Sequence, residues 1–215
     1  MRSITKSLEP NSLTEYRSSG NANFEPTFSD ISTETKQEIR ESLVGEQGGI
    51  CCYCMCRIFP DPAKMKIEHW QCQDRFSGRQ LDYTNLLGAC NGGEIHGRST
   101  SPNTHHCDTR KGNLDFCVNP SANAVNLESR LRYLADGTVE ADQEPLNSQL
   151  NDVLNLNYAL LKSNRVSALK AFKQTLGNTP YKKEKWQTIL TTITTPPFAP
   201  YCEVIAFWIR KRLRS

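Results

Sequence analysis

Two cysteines separated by two residues, Cys51 and Cys54, most constrain how this chain can fold. The pair Gly48-Gly49 precedes them and allows the tight turn that points two sulfur atoms at one ion. Zinc takes four ligands in a tetrahedron, and Cys90 and Cys107 are the best candidates for the second pair. The sixteen residues between those two are a long spacing for a second zinc knuckle, so other ligands compete with them.

The competing ligands are two histidines, His105 and His106, and two further cysteines, Cys52 and Cys56. Within the first cluster, however, only the pair already named has the two-residue spacing of a knuckle. Free cysteine commonly packs as a small apolar residue. We interpret the remaining cysteines in that way: Cys72, Cys117 and Cys202.

The nine cysteines can also be related to the cellular compartment in which the protein is expected. No apolar run resembling a signal peptide leads the sequence, and no apolar stretch has transmembrane length, so we expect a cytoplasmic protein. In a reducing compartment, clustered cysteines bind metal more often than they form disulfides. A hydrophobic content of 37% is modest, which favours metal as a support for a region with few apolar residues.

The sequence predicts an α+β protein in three regions. Residues 1–30 are rich in Ser, Asn and Pro and are expected to form an extended arm. Residues 31–120 are expected to hold the zinc knuckle and the candidate site. Residues 121–215 are expected to contain a hairpin and then mainly helices. This last region carries thirteen basic and eight acidic side chains, a surplus that suits either a solvated helix surface or a surface facing phosphate.

Local signals predict the elements around the candidate site. Ser32 is typical of a helix N-cap, and apolar residues then recur at helical spacing as far as Gly45. Residues 65–70 have the length and the flanking turns of a short strand. Residues 108–116 open with an acidic residue and are predicted to form a short helix.

The C-terminal region has equally distinct signals. Asp136-Gly137 lies between apolar residues and predicts a two-residue hairpin turn within residues 131–139. Leucines at helical spacing predict helices from Pro145 to a stop at Gly177. Further helices are predicted over residues 182–192 and after Pro200.

The middle of the chain contains a series of residues of the types that enzymes use to hydrolyse phosphodiesters. Glu68-His69 comes first, Asn85 follows, and Asp108 and Lys111 come last. Together, these residue types could place a histidine, a carboxylate and a lysine around one phosphate. Lys111 is expected to contact a phosphate oxygen.

Over residues 51–112 this order resembles the HNH endonuclease family. The resemblance implies a ββα-metal core stabilised by structural Zn²⁺, with Mg²⁺ or Mn²⁺ as the catalytic ion. It implies that His69 is the general base, that Asn85 orients it, and that Asp108 and Glu68 are metal ligands. Asp108 stands where many such proteins have histidine, and a carboxylate suits a hard cation. Trp70-Gln71 also replaces the commoner aliphatic and proline residues.

A finer resemblance, covering most of the chain, is to the PtuB-like subgroup of HNH proteins from Septu and retron-associated anti-phage defence systems. It is carried by these segments: Ile4-Thr5-Lys6, Pro10-Asn11-Ser12-Leu13, the Cys51 to Cys54 knuckle, Asn85 to Cys90, His106 to Gly112, and Leu154-Asn155-Leu156-Asn157. It implies a nuclease effector that acts on nucleic acid in a hetero-oligomer with a PtuA-like ATPase. A retron reverse transcriptase and its DNA product are further implied partners.

Two other classes of function fit the same residues. A zinc-stabilised module could bind nucleic acid or a partner without cutting, and its binding would then be insensitive to Mg²⁺. An interaction scaffold could use its helical half to assemble a complex around a purely structural metal. A divalent-metal cleavage assay separates both from the nuclease.

Overall fold

Two short antiparallel hairpins organise the computed structural model, which describes residues 1–94, 101–122, 126–177 and 180–214. The first pairs β1 (Lys66–His69) with β2 (Leu86–Ala89), and the second pairs β3 (Leu131–Tyr133) with β4 (Val139–Ala141). Helices make up most of the remaining regular structure in the described residues, so the predicted α+β class is confirmed. The α-helices are α1 (Asn11–Ser18), α2 (Thr33–Glu46), α3 (Cys107–Lys111), α4 (Leu127–Arg130), α5 (Leu146–Asp152), α6 (Ala159–Thr175), α7 (Lys183–Ile193) and α8 (Cys202–Arg214).

Helix α2 supports the first hairpin from one side. The side chain of Ser32 accepts a hydrogen bond from the Thr35 amide, which is the predicted N-cap. Ile39 and Leu43 are fully buried in a cluster that also contains Leu86 of β2. The amphipathic face of α2 therefore fixes the strand that leads into the candidate site.

Helix α3 is much shorter than the predicted helix over residues 108–116. It ends at Lys111 because Gly112 has φ +48° and ψ −124°, a conformation that does not continue a right-handed helix. The Gly112 amide still donates to the Asp108 carbonyl, which completes the last turn. Its last residue, Lys111, contacts Glu68 and the His69 carbonyl of β1.

The N-terminal region is not the uniformly extended arm that its composition predicts. Residues 11–18 form α1, where Leu13 is the buried side chain and joins the cluster beneath α2. A single buried leucine gives no periodic apolar stripe, so the usual helical signal is missing. Lys6, before this helix, pairs with Glu46 and donates to the Leu86 carbonyl, which holds the segment against β2.

The C-terminal region follows the predicted order of a hairpin and then helices. The turn has three residues rather than two, because Leu134 pairs with Thr138 and Gly137 takes φ +84°. Arg165 of α6 is buried and donates to the carbonyls of Gly137 and Leu156, so it ties the turn to the start of that helix. No helix among the described residues combines the length and the apolar character needed to cross a bilayer.

Candidate functional site

Four buried cysteines converge at one point. The sulfur atoms of Cys51, Cys54, Cys90 and Cys107 all lie within 4.8 Å of one another. Facing Sγ atoms are 3.9 Å apart for Cys51 and Cys107, and 3.7 Å apart for Cys54 and Cys90. Zinc–sulfur bonds of about 2.3 Å in a tetrahedron require sulfur–sulfur distances of about 3.8 Å. The donor set therefore fits a structural zinc, as predicted.

Each pair of ligands comes from a defined piece of backbone. The first pair lies in a loop closed by hydrogen bonds between Cys51 and Cys56 and between Met55 and Cys51, with Met55 at φ +67°. Cys90 follows the last residue of β2, and its amide donates to the sulfur of Cys51 over 3.3 Å. Cys107 is the first residue of α3. The cluster thus joins the knuckle, the hairpin and the short helix.

The competing ligands lie outside this set. The ring of His106 contacts the Thr104 carbonyl through Nδ1 and stacks on Tyr158. Among the described residues, the group that could hold a metal consists of four cysteines and includes no histidine. Cys56 is a fifth thiol beside the four. Cys90 and Cys107 do not form a knuckle, since one follows β2 and the other begins α3. The long spacing between them is therefore compatible with a four-cysteine site.

Beside the cysteine cluster, a cavity of about 330 Å³ contains three of the five side chains predicted to act in catalysis or cation binding. Glu68 and His69, at the end of β1, and Asp108, on α3, all line it. Asp108 lies forty positions after Glu68 in the sequence, and it directly follows the candidate zinc ligand Cys107. The geometry places an imidazole and two carboxyl groups around one space.

The imidazole of His69 is held by both nitrogens. Nε2 lies 3.0 Å from the Gln80 carbonyl, which can only accept a hydrogen bond, so Nε2 carries the proton. Nδ1 then has the lone pair and lies 3.3 Å from the side-chain nitrogen of Gln73. Phe28 packs edge-on against the ring at 4.4 Å. Burial lowers the pKa of His69, so the ring is neutral at pH 7.

Glu68 is only 3% exposed and is bonded from within the protein. Its Oε1 accepts from the hydroxyl of Tyr53 at 2.8 Å and pairs with Nζ of Lys111 at 2.9 Å. Burial, together with the adjacent Asp108 carboxyl, raises the pKa of Glu68 well above its usual range, and Lys111 opposes this shift. Two carboxyl groups side by side favour binding of a cation that would neutralise both.

The position of Lys111 corrects the expectation that it contacts substrate phosphate. The residue is 1% exposed, and Nζ also donates to the backbone carbonyl of His69. An ammonium group enclosed in this way cannot reach a ligand in the cavity. Lys111 instead fixes Glu68 and the backbone of the candidate base.

Asp108 is the more accessible of the two carboxylates. Its Oδ2 lies 3.9 Å from Nζ of Lys66, which also pairs with Glu94 at 3.0 Å. Carboxylate oxygens are the ligands that Mg²⁺ and Mn²⁺ prefer. Glu68 and Asp108 therefore fit the predicted hard divalent cation by donor type.

Asn85 is fully buried but does not bind the side chain of His69 directly. Its Oδ1 accepts from the Gln71 amide at 2.8 Å, and its Nδ2 donates to the carbonyls of Gln71 and Arg79. These bonds close the loop between β1 and β2. Arg79 precedes Gln80, so Asn85 holds the same loop that supplies the carbonyl contacted by His69.

Several contributing residues escaped the sequence analysis. Tyr53 lies within the cysteine knuckle, Gln73 lies in a polar loop, and Phe28 belongs to the N-terminal region. The carbonyl of Gln80 is a backbone group and has no sequence signature. A short polar segment gives no sign of which side chain turns inward, so tertiary contacts alone identify these groups.

Comparison with known proteins leaves the family open. The chain matches no protein-family model, and no curated protein is significantly similar to it. The geometry of the site is therefore the basis for assigning a function.

Proposed function

We propose that this chain is a metal-dependent endonuclease of the HNH type that hydrolyses phosphodiester bonds in nucleic acid. The observation that carries this proposal is the shared cavity of Glu68, His69 and Asp108. A neutral imidazole beside two carboxyl groups is the combination needed to activate water and hold a divalent cation next to a phosphate. The four-cysteine cluster next to Asp108 supports it, because a structural zinc would hold both halves of the cavity in register.

The roles follow from the hydrogen bonds. Nδ1 of His69 would take the proton of the attacking water once that water displaces the Gln73 side chain, and the Gln80 carbonyl would stabilise the imidazolium that results. Glu68 and Asp108 would hold the divalent cation, which when bound would supply Lewis-acid stabilisation of charge on the scissile phosphate and on the leaving oxygen. Lys111 keeps Glu68 in place.

We further propose that the protein is the nuclease effector of an anti-phage defence complex, with a PtuA-like ATPase as its partner. A retron reverse transcriptase and its DNA product are additional candidate partners. The support is the resemblance to PtuB-like proteins described above. Co-expression with such an ATPase, followed by size-exclusion chromatography, tests the association.

One observation favours the non-catalytic alternative, a zinc-stabilised binding module. Both candidate cation ligands already have cationic partners, since Lys111 pairs with Glu68 and Lys66 lies near Asp108. In such a module these ion pairs would replace the divalent cation. Cleavage that depends on Mg²⁺ or Mn²⁺ would exclude this alternative.

The test compares His69→Ala and Asp108→Asn with wild type on single- and double-stranded DNA and RNA. We expect His69→Ala to lower the cleavage rate by about 10²–10⁴-fold, which is the usual contribution of a general base. Asp108→Asn should also require more Mg²⁺ for its residual activity. Both variants should keep wild-type zinc content and remain folded.

Matched controls make the result specific. His105→Ala removes a histidine outside the cavity, and Asp115→Asn removes an exposed carboxylate paired with Arg75. Both should cleave like wild type. Full activity of folded, zinc-loaded His69→Ala would remove His69 from the mechanism, and the absence of any divalent-dependent cleavage in wild type would favour the binding module.

A further inference from the structure

The residues that line a second cavity, of about 470 Å³, are distant in sequence from those of the candidate nuclease site. It is formed by α6, the turn between β3 and β4, and α8. We call it the α6 groove and define it by these side chains: Leu134, Arg165, Val166, Leu169, Lys170 and Lys173. None of these residues contributes to the cysteine cluster or to the cavity around His69.

The floor of the α6 groove is apolar and open to solvent. Leu134 is 43% exposed and Val166 is 38% exposed, and they face the same groove. Leu169 is partly buried and packs on the main core. Positions 166, 169, 170 and 173 have the spacing of one helix face, so the apolar floor and the lysines share a continuous surface.

The charge of the groove has one sign. Helix α6 contains four basic residues and no acidic residue, and no acidic side chain of the described chain lines the groove. The Lys173 ammonium lies 4.9 Å from the ring centroid of Trp208, which keeps it at the groove edge. Arg165 is anchored by backbone carbonyls, so its position is fixed.

We propose that the α6 groove binds an acidic segment of a partner protein that inserts at least one large apolar side chain. Carboxylates of the partner would pair with Lys170 and Lys173, and its apolar side chain would cover Val166 and Leu134. A nucleic acid would satisfy the lysines but leave the apolar floor in water, so the surface favours a protein. This proposal is independent of the nuclease activity.

The experiment uses a displayed library of random twelve-residue peptides, selected on the immobilised full-length, zinc-loaded protein. We expect enrichment of peptides in which Asp or Glu flanks Leu, Ile, Phe or Trp. The enriched peptide is then synthesised with a fluorophore and its Kd is measured by fluorescence polarisation. A twelve-nucleotide single-stranded DNA is tested as a competitor.

Paired variants locate the binding site. Val166→Ser removes an apolar contact without adding charge and should weaken peptide binding about tenfold. Its control is Leu160→Ser on the same helix, where the 54% exposed side chain lies outside the groove. Lys170→Glu should abolish binding of the acidic peptide and favour a version with lysines in place of its acidic residues. The exposed Lys185→Glu on α7 should change neither.

Three results would overturn the proposal. Enriched peptides could lack the acidic and apolar pattern, or their Kd could be the same for Val166→Ser and wild type. Displacement of the peptide by the oligonucleotide, with equal oligonucleotide affinity for Val166→Ser and wild type, would instead assign the groove to nucleic acid.

Discussion

At the residue scale, the ion pair of Lys111 and Glu68 shows that buried side chains support the candidate site. Both side chains are almost completely buried, and one oxygen of the carboxylate accepts from both Lys111 and Tyr53. Removing one member of a buried ion pair leaves an uncompensated charge, which costs far more than the pair contributes when intact. These residues therefore support the structure of the cavity and also lie next to the candidate catalytic groups.

We predict that Lys111→Met lowers the free energy of unfolding by about 3–5 kcal/mol, because it leaves the Glu68 carboxyl buried without its cation. The double variant Glu68→Gln/Lys111→Met should recover much of this loss. Urea unfolding of the zinc-loaded proteins measures both values.

Lys66→Met is the matched control, since Lys66 pairs with Glu94 and Asp108 at a partly exposed position. Its effect should be about 0–1 kcal/mol, as for other accessible ion pairs. Equal effects of Lys111→Met and Lys66→Met would contradict the structural role of the buried pair.

At the scale of elements, sequence signals and structure agree for several elements that short-range interactions determine. The Ser32 cap, strand β1 and the glycine turn before β4 follow from side-chain chemistry within a few residues. Helix α1 was missed because its stability comes from Leu13 packing beneath α2, a contact distant in sequence. The predicted end of α3, at residue 116, was wrong. The helix ends five residues earlier, at Lys111, because Gly112 adopts a positive φ.

The loop between β1 and β2 depends on Asn85 in the same way. We predict that Asn85→Ala lowers the free energy of unfolding by about 2 kcal/mol, because partly buried backbone groups of Gln71 and Arg79 lose their partners. The Gln71 amide should also exchange with solvent deuterium faster than in wild type.

Asn113→Ala provides the comparison, because Asn113 is exposed at the rim of the same cavity. Its stability should change by no more than about 0.5 kcal/mol. If Asn85→Ala had an equally small effect, the loop would be held by other contacts and the proposed orientation of His69 would lose its support.

At the scale of the whole molecule, the cysteine cluster joins segments that are far apart in sequence. We predict one zinc ion per chain and loss of ordered structure in residues 47–94 and 101–112 when a chelator removes it. Structural zinc contributes about 10–16 kcal/mol in small metal-stabilised units, which is comparable with the total stability of a typical domain. Elemental analysis and limited proteolysis measure the two effects.

Cysteine variants separate zinc binding from general thiol effects. Cys90→Ser should lose zinc and become sensitive to protease, whereas Cys117→Ser, at an exposed position outside the cluster, should retain both zinc and resistance. A metal-free wild type with an unchanged melting temperature would contradict a structural role for the cluster.

The sequence was sufficient to identify the four cysteines, because metal ligands are chemically distinctive residue types. It also predicted Glu68, His69 and Asp108 as site residues, and the structure brings these three to one cavity. The sequence could not determine the orientation of the Lys111 ammonium or the tautomer of His69. Both depend on backbone carbonyls, those of His69 and Gln80, that every sequence possesses. Only the folded loop brings those oxygens to the two side chains.

Cys107 and Asp108 are joined by a single peptide bond at the first turn of α3. Under the proposed function, a newly synthesised chain that has not yet acquired its zinc would lack a fixed position for one ligand of the reactive cation. Immature copies would therefore be unable to cleave nucleic acid, and metal loading would act as the last step of maturation.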